Sequence, residues 1–174
     1  MADNLILEAL QKFLQENVAS RIKLQKANAN NVYELVNPAV HIGWVPKLLE
    51  NINLLEPFPD YPCLMVSIVD GKDYGTEAGV NVRITFAVSN MGQYNEAGKF
   101  FPDYNGYKDL LNLKDLTIRE LARVAIIGQV ASIQYPYKWG VCKNNSNSYW
   151  SAWLTFRVLI PTLNYVPGIS EQYK

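Results

Sequence analysis

One run of ten residues does most to limit what this chain can become. In Val80-Asn81-Val82-Arg83-Ile84-Thr85-Phe86-Ala87-Val88-Ser89 every second residue is apolar and most of the others are polar. A period of two places Val80, Val82, Ile84, Phe86 and Val88 on one face of a pleated strand, and that face requires a core. The segment before it, Cys63-Leu64-Met65-Val66-Ser67-Ile68-Val69, is apolar almost throughout, as expected of a strand covered on both faces. A ten-residue polar connection from Asp70 to Gly79 joins the two, so residues 62–90 read as a hairpin with a long, carboxylate-bearing tip.

The rest of the chain supplies helices to cover such a sheet. Residues 3–18 read as an amphipathic helix with Leu5, Ile6, Ala9, Leu10, Phe13 and Leu14 on one face. Residues 20–26 alternate and predict a short strand. Residues 32–45 read as another short strand followed by an irregular stretch, because Pro38 and Gly43 interrupt them. Pro46 opens a second amphipathic segment running to Leu55, which Pro57, Pro59 and Pro62 end. Residues 91–105 read as an exposed connection, of the length that often serves binding.

The longest helical pattern covers residues 106–126, with Tyr107, Leu110, Leu111, Ile118, Leu121, Ala122 and Ala125 on one face, broken only by Lys114. Asp115 and Arg119 are spaced for an i, i+4 ion pair; alternatively Thr117 and Glu120 form a capping box that restarts the helix. Residues 129–135 predict a strand, 138–148 a polar turn, and 149–160 a last alternating strand with Trp150, Ala152, Leu154, Phe156 and Val158 on one side. The fold class is therefore α+β, a mainly antiparallel sheet of four to six strands packed against two or three helices. At 174 residues the chain fits a single domain, with a core over 1–160 and a loosely held tail over 161–174.

No constellation of residues announces a chemistry. Net charge is zero, which removes the usual electrostatic reason to expect nucleic acid or an anionic membrane as partner. The one histidine, His41, sits in an apolar stretch and reads as structural. Cys63 and Cys142 match no zinc spacing and read as free thiols. Asp70, Asp73 and Glu77 lack the spacing of a calcium loop and read as a solvated turn. The run from Gly92 to Lys99 has one residue too many for a phosphate loop. With none of these motifs carrying chemistry, no catalytic, cofactor or metal residues are assigned, and no leader, anchor or membrane-length apolar run is recognised. Among the C-terminal aromatics Tyr135, Tyr137, Trp139, Tyr149, Trp150 and Trp153, which read as core or subunit interface, Trp153 stands out on the polar side of its strand, where a large aromatic needs something to cover it.

The hairpin, the run Gly106-Tyr107-Lys108-Asp109-Leu110-Leu111-Asn112-Leu113 and the strand Trp150-x-x-Trp153-Leu-Thr-Phe together resemble the tail terminator or tail completion proteins of tailed bacteriophages and prophages. The resemblance covers most of residues 62–160. It implies a non-enzymatic minor tail protein of the virion, assembled in the host bacterial cytoplasm. It further implies a homo-oligomer, expected as a hexameric ring, that caps the tail tube protein, ends its polymerisation and meets the head-tail connector protein, without cofactor, nucleic-acid recognition or membrane. On that reading Asp70, Asp73, Tyr74 and Glu77 of the tip face the tube or its lumen, and Trp153 and Arg157 lie near a subunit boundary. Another head-tail connector or tail-assembly protein, or an α+β ligand-binding domain using the C-terminal aromatics, would share the pattern.

Overall fold

The computed structural model describes residues 2–27, 33–43, 61–75, 77–89, 93–94, 98–101, 104–142 and 149–160. Among them the chain is α+β. Helix α1 (Ala2–Asn17) is followed by a short 3-10 turn (Ala19–Arg21), then β1 (Leu24–Ala27), β2 (Tyr33–Val36), β3 (Ala39–Ile42), β4 (Cys63–Asp73) and β5 (Ala78–Ser89). Next come β6 (Gln93–Tyr94), β7 (Phe100–Phe101), helix α2 (Asn105–Ala122), β8 (Ile126–Ile127), β9 (Ala131–Val141) and β10 (Tyr149–Ile160). The main sheet has six strands in the order β3-β4-β5-β10-β9-β8. Every pairing in it is antiparallel except β3 with β4.

The period-two pattern of β5 does what it predicts. Val80, Val82, Ile84, Phe86 and Val88 are buried in the main core, in register with Leu154, Phe156 and the rest of the inward set of β10. Both helices cover this face. α1 presents Ile6, Leu10 and Leu14, four residues apart and each essentially without solvent contact, and Val18 just beyond its end continues the series. α2 contributes Leu110, Leu113 and Leu121. Leu5, expected on the buried face of α1, is half exposed. Among the described residues no helix is long and apolar enough to cross a membrane.

Four departures from the sequence reading have physical causes. First, β4 runs on to Asp73 and β5 begins at Ala78, so the polar connection shrinks to a tight turn closed by a Tyr74 N–H to Glu77 carbonyl bond of 2.9 Å. Gly75 supplies the positive φ of +78° that this turn requires. The polar residues Asp70 to Asp73 belong to an exposed strand segment, not to a loop. Second, residues 39–42 form a parallel strand beside Cys63 to Val66, and the Gln11 side chain of α1 donates to the Val40 carbonyl at 2.9 Å. Third, α2 stops at Ala122, and Ala125 and Ile126 leave it; the Ala125 carbonyl instead accepts from the Ile133 N–H at 3.0 Å. Fourth, residues 20–26 divide into the 3-10 turn and β1, and the 91–105 connection contains the short β6–β7 pair. The predicted turn over 138–148 is corrected in its first part, since residues 138–141 continue β9 to Val141; its residues 143–148, the predicted helix over 46–55 and the tail 161–174 lie outside the described residues.

Candidate functional site

The face of the six-stranded sheet turned away from the helices is built from every second residue of the alternating strands, with the parity shifted by a bulge in β4 and the register of β9 shifted between Thr155 and Arg157 of β10. Reading across β4, β5, β10 and β9, its rows are Met65–Thr85–Trp153–Gly140, then Ser67–Arg83–Thr155–Lys138, then Asp70–Asn81–Arg157–Gln134. At the β3 end the face is closed by a small apolar cluster in which Cys63, Met65 and Ala87 are buried, with Ala39 and Tyr61 against them. β4 is thus covered on both faces only over its first four residues, after which its burial falls away towards Asp73.

Trp153 lies on this outer face as its position predicts, but the chain itself shelters it in part. Its indole crosses Gly140 so closely that a Cβ there would stand 2.8 Å from Trp153 Cζ2, and the Arg83 guanidinium sits 5.6 Å from the ring centroid. Part of the cover that the sequence reading requires for Trp153 therefore comes from its own chain. Arg157 lies across a second glycine in the same manner, since a Cβ at Gly79 would meet its Nε at 2.9 Å. From there Arg157 Nη2 reaches Glu77 Oε1 at 2.9 Å. Hairpin turn and strand β10 are therefore joined, two groups that the sequence reading assigned to separate surfaces. Asp70 Oδ1 accepts from Asn81 Nδ2 at 2.6 Å, and Asp73 Oδ1 from the Gly75 N–H at 2.7 Å. Tyr74, between them and Glu77, is 66% exposed.

A second polar arrangement was not foreseen. Glu120 is buried on the inner side of α2, and its carboxylate accepts from Arg21 Nη1 at 3.2 Å and Arg123 Nη1 at 2.9 and 3.1 Å, with Arg119 Nε at 3.6 Å. One carboxylate thus stands among three guanidiniums, along a groove of about 550 Å³ that Ile22 and Leu116 also line. Arg119 turns to Glu120, and Asp115 pairs with Lys114 at 2.6 Å, so the expected Asp115–Arg119 pair is replaced. Thr117 donates to the Leu113 carbonyl at 2.8 Å inside the helix, so the capping-box alternative does not form. Arg21 and Glu120 are 99 positions apart, and no local pattern links them; the only sequence signal is the Glu120/Arg123 spacing on a helix face.

Lys114, the apparent flaw in the apolar face of α2, is buried with its Nζ 3.8 Å from the Trp139 ring centroid. A cation against an indole face is stabilised by the ring quadrupole, which explains how lysine is tolerated there. On β9, Tyr135 and Tyr137 are 4.8 Å apart and Tyr137 stands edge-on to Phe156. Burial, then the charge and hydroxyl of Tyr135, push the Tyr137 phenol up to about 12. A folded-state value above the unfolded one means that the neutral phenol stabilises the fold fully below about pH 10 and that this contribution is lost as the pH rises from 10 to 12. Absorbance titration at 295 nm is expected to show one tyrosine ionising late, and Tyr135→Phe is expected to bring that step to lower pH.

Among the described residues no group of three His, Cys, Asp or Glu side chains is placed to hold a metal ion; Cys63 and Cys142 are free thiols. His41 is on β3, beside Met65. No protein-family model and no curated protein matches the chain.

The sheet's two flanks complete the geometry. β3 pairs with β4 only as far as Val66, and β8 pairs with β9 only at Ala131 and Ser132. Among the described residues no strand pairs with the outer edge of β4 over residues 67–73 or of β9 over residues 134–141. A β-bulge between Ile68 and Asp70 bends the first of these edges, and the exposed Tyr135 and Trp139 flank the second.

Proposed function

We propose that the chain is a structural subunit that assembles side by side into a closed ring, the tail terminator of a phage or prophage virion, capping the tail tube and offering a joining surface to the head. The observation that carries this reading is the pair of strand edges, on β4 and on β9, that no described strand pairs. Unpaired backbone N–H and C=O groups are a template for another strand. Two unlike edges on one subunit favour head-to-tail contacts, which close into a ring when the rotation between neighbours permits. The outer face, with Arg83, Trp153, Thr155, Lys138 and Arg157 across it, suits an assembly surface better than a catalytic cleft. The resemblance in the hairpin, the α2 entry and the last strand supplies the tail-terminator assignment.

Negative-stain microscopy and light scattering of the purified chain test it. The expected result is a ring of six copies of the 19.7 kDa chain, and addition of the chain to polymerising tail tubes is expected to stop their growth. A monomer that leaves tube length unchanged would overturn the proposal.

A further inference from the structure

The hairpin turn and the arginine groove are complementary to each other. The turn presents Tyr74, exposed at the end of the hairpin, between the exposed carboxylates of Asp73 and Glu77. The groove presents the half-buried Ile22 and Leu116 between the guanidiniums of Arg21, Arg119 and Arg123. An aromatic ring flanked by acids thus has as its counterpart two apolar side chains set among three guanidiniums, in a groove that Asn112, Glu120 and the Lys114-paired Asp115 also line. Glu120 neutralises only one of the three arginines. Each guanidinium carries five N–H donors, and a carboxylate offers about four acceptor positions, so most of the donors remain for an incoming anion. Glu77 in turn engages Arg157 through Oε1 while its side chain stays half exposed.

Topology sets the two surfaces apart. The turn closes β4 and β5, towards one flank, whereas the last turn of α2 delivers the chain to β8, the outermost strand of the other flank. In strand order four steps lie between β4 and β8, and the sheet curls so that α1 meets both β3, through Gln11, and the turn after β8, through Ala9. A contact between two unlike surfaces is heterologous, and it repeats from copy to copy.

We infer that the hairpin turn of one copy seats in the arginine groove of a second copy, with Tyr74 on Ile22 and Leu116 and with Asp73 and Glu77 against the guanidiniums. The inference rests on the ring reading and gives its lateral contact a location and a partner. Tyrosine and arginine are the residue types that most often anchor such interfaces, and an ion-paired contact of this kind weakens as salt rises.

The test uses the full chain in sedimentation velocity at rising concentration, with two variants, Tyr74→Ser in the turn and Arg119→Glu in the groove. Both residues are exposed, and Arg21 and Arg123 still hold Glu120 in the second variant; near-UV circular dichroism checks that each remains folded, and Arg119→Gln replaces Arg119→Glu if it does not. Each variant alone is expected to raise the dissociation constant at least tenfold. Mixed together, they are expected to form a heterodimer that grows no further, because only one intact turn meets one intact groove. Rings that persist unchanged in both variants would overturn this inference and leave the ring reading standing. Open chains in the wild type that both variants abolish would uphold the inference and overturn the ring. A wild type that stays monomeric at the highest concentration and leaves tail-tube length unchanged would overturn both.

Discussion

Alanine at Gly128 is expected to destabilise the protein by about 2–4 kcal/mol, from two separate costs. The backbone there has φ +58°, a left-handed conformation that costs an L-residue roughly 1 kcal/mol or more. The second cost is steric, since the new Cβ would stand 2.7 Å from the Ala9 Cβ of α1, well inside van der Waals contact. α1 cannot simply retreat, because Ile6, Leu10 and Leu14 anchor it in the core on the same side. Ala9→Gly removes the opposing methyl and leaves Ala9 Cα as the nearest atom, at 3.7 Å. By itself that change costs about 1 kcal/mol in helix propensity. Combined with Gly128→Ala it is expected to recover about 1–2 kcal/mol relative to the sum of the single changes. Urea midpoints of the four proteins, at constant slope, measure the coupling; strict additivity would show that α1 does not rest on this turn.

Phe86→Ala is expected to cost about 4 kcal/mol, in the middle of the range for buried aromatic truncations. Phe86 is fully buried at the middle of the sheet. It stands in register between Leu64 on β4 and Ala152 on β10, and the small side chain of Ala152 leaves room for the ring. After truncation the strands on both sides stay pinned by their backbone ladders, so the surroundings collapse little and a cavity remains. Against the 5–15 kcal/mol typical of a whole domain, such a loss brings a substantial unfolded population into reach at moderate temperature. A drop in the urea midpoint with unchanged slope is the expected observation. Retention of most of the stability would mean that β5 is not the centre of the core.

These two sites differ in how far the sequence alone exposes them. Phe86 is legible because strict alternation in β5 declares which residues face inward, and β10 repeats the signal through Trp150, Ala152, Leu154, Phe156 and Val158. Gly128 is not legible. Its partner Ala9 lies at the opposite end of the chain, and a glycine after Ile126-Ile127 reads as an ordinary end of a helix. The misjudged end of α2 has the same origin, since Ala125 and Ile126 continue the helical spacing while their pairing with β9 depends on residues beyond.

The hairpin turn shows how polarity misleads. Asp70, Lys72 and Asp73 look like loop residues, but an edge strand with one free flank carries charged side chains without penalty and is protected by them from unwanted pairing. β3 escaped recognition because a parallel pairing leaves no turn signal between the partners. Of the residues proposed for assembly, the structure joins Glu77 with Arg157 and places Asp70 in the same row as Arg157, through Asn81. The Glu120 cluster needed an arginine from the other end of the chain, and only the tertiary fold brings it there.

The pairing of β5 with β10 also governs how the molecule is made. About seventy residues separate the end of β5 at Ser89 from the end of β10 at Ile160. At a synthesis rate of about 5–20 residues per second, the strand carrying Phe86 waits roughly 4–14 s on the ribosome before its second neighbour exists. During that interval its free edge and its apolar face are both open to solvent and to other chains. Arg83, the one charged residue of β5, lies on the reverse side and then acts as a guard on a nascent strand, and chaperone demand during expression is expected to concentrate in this window.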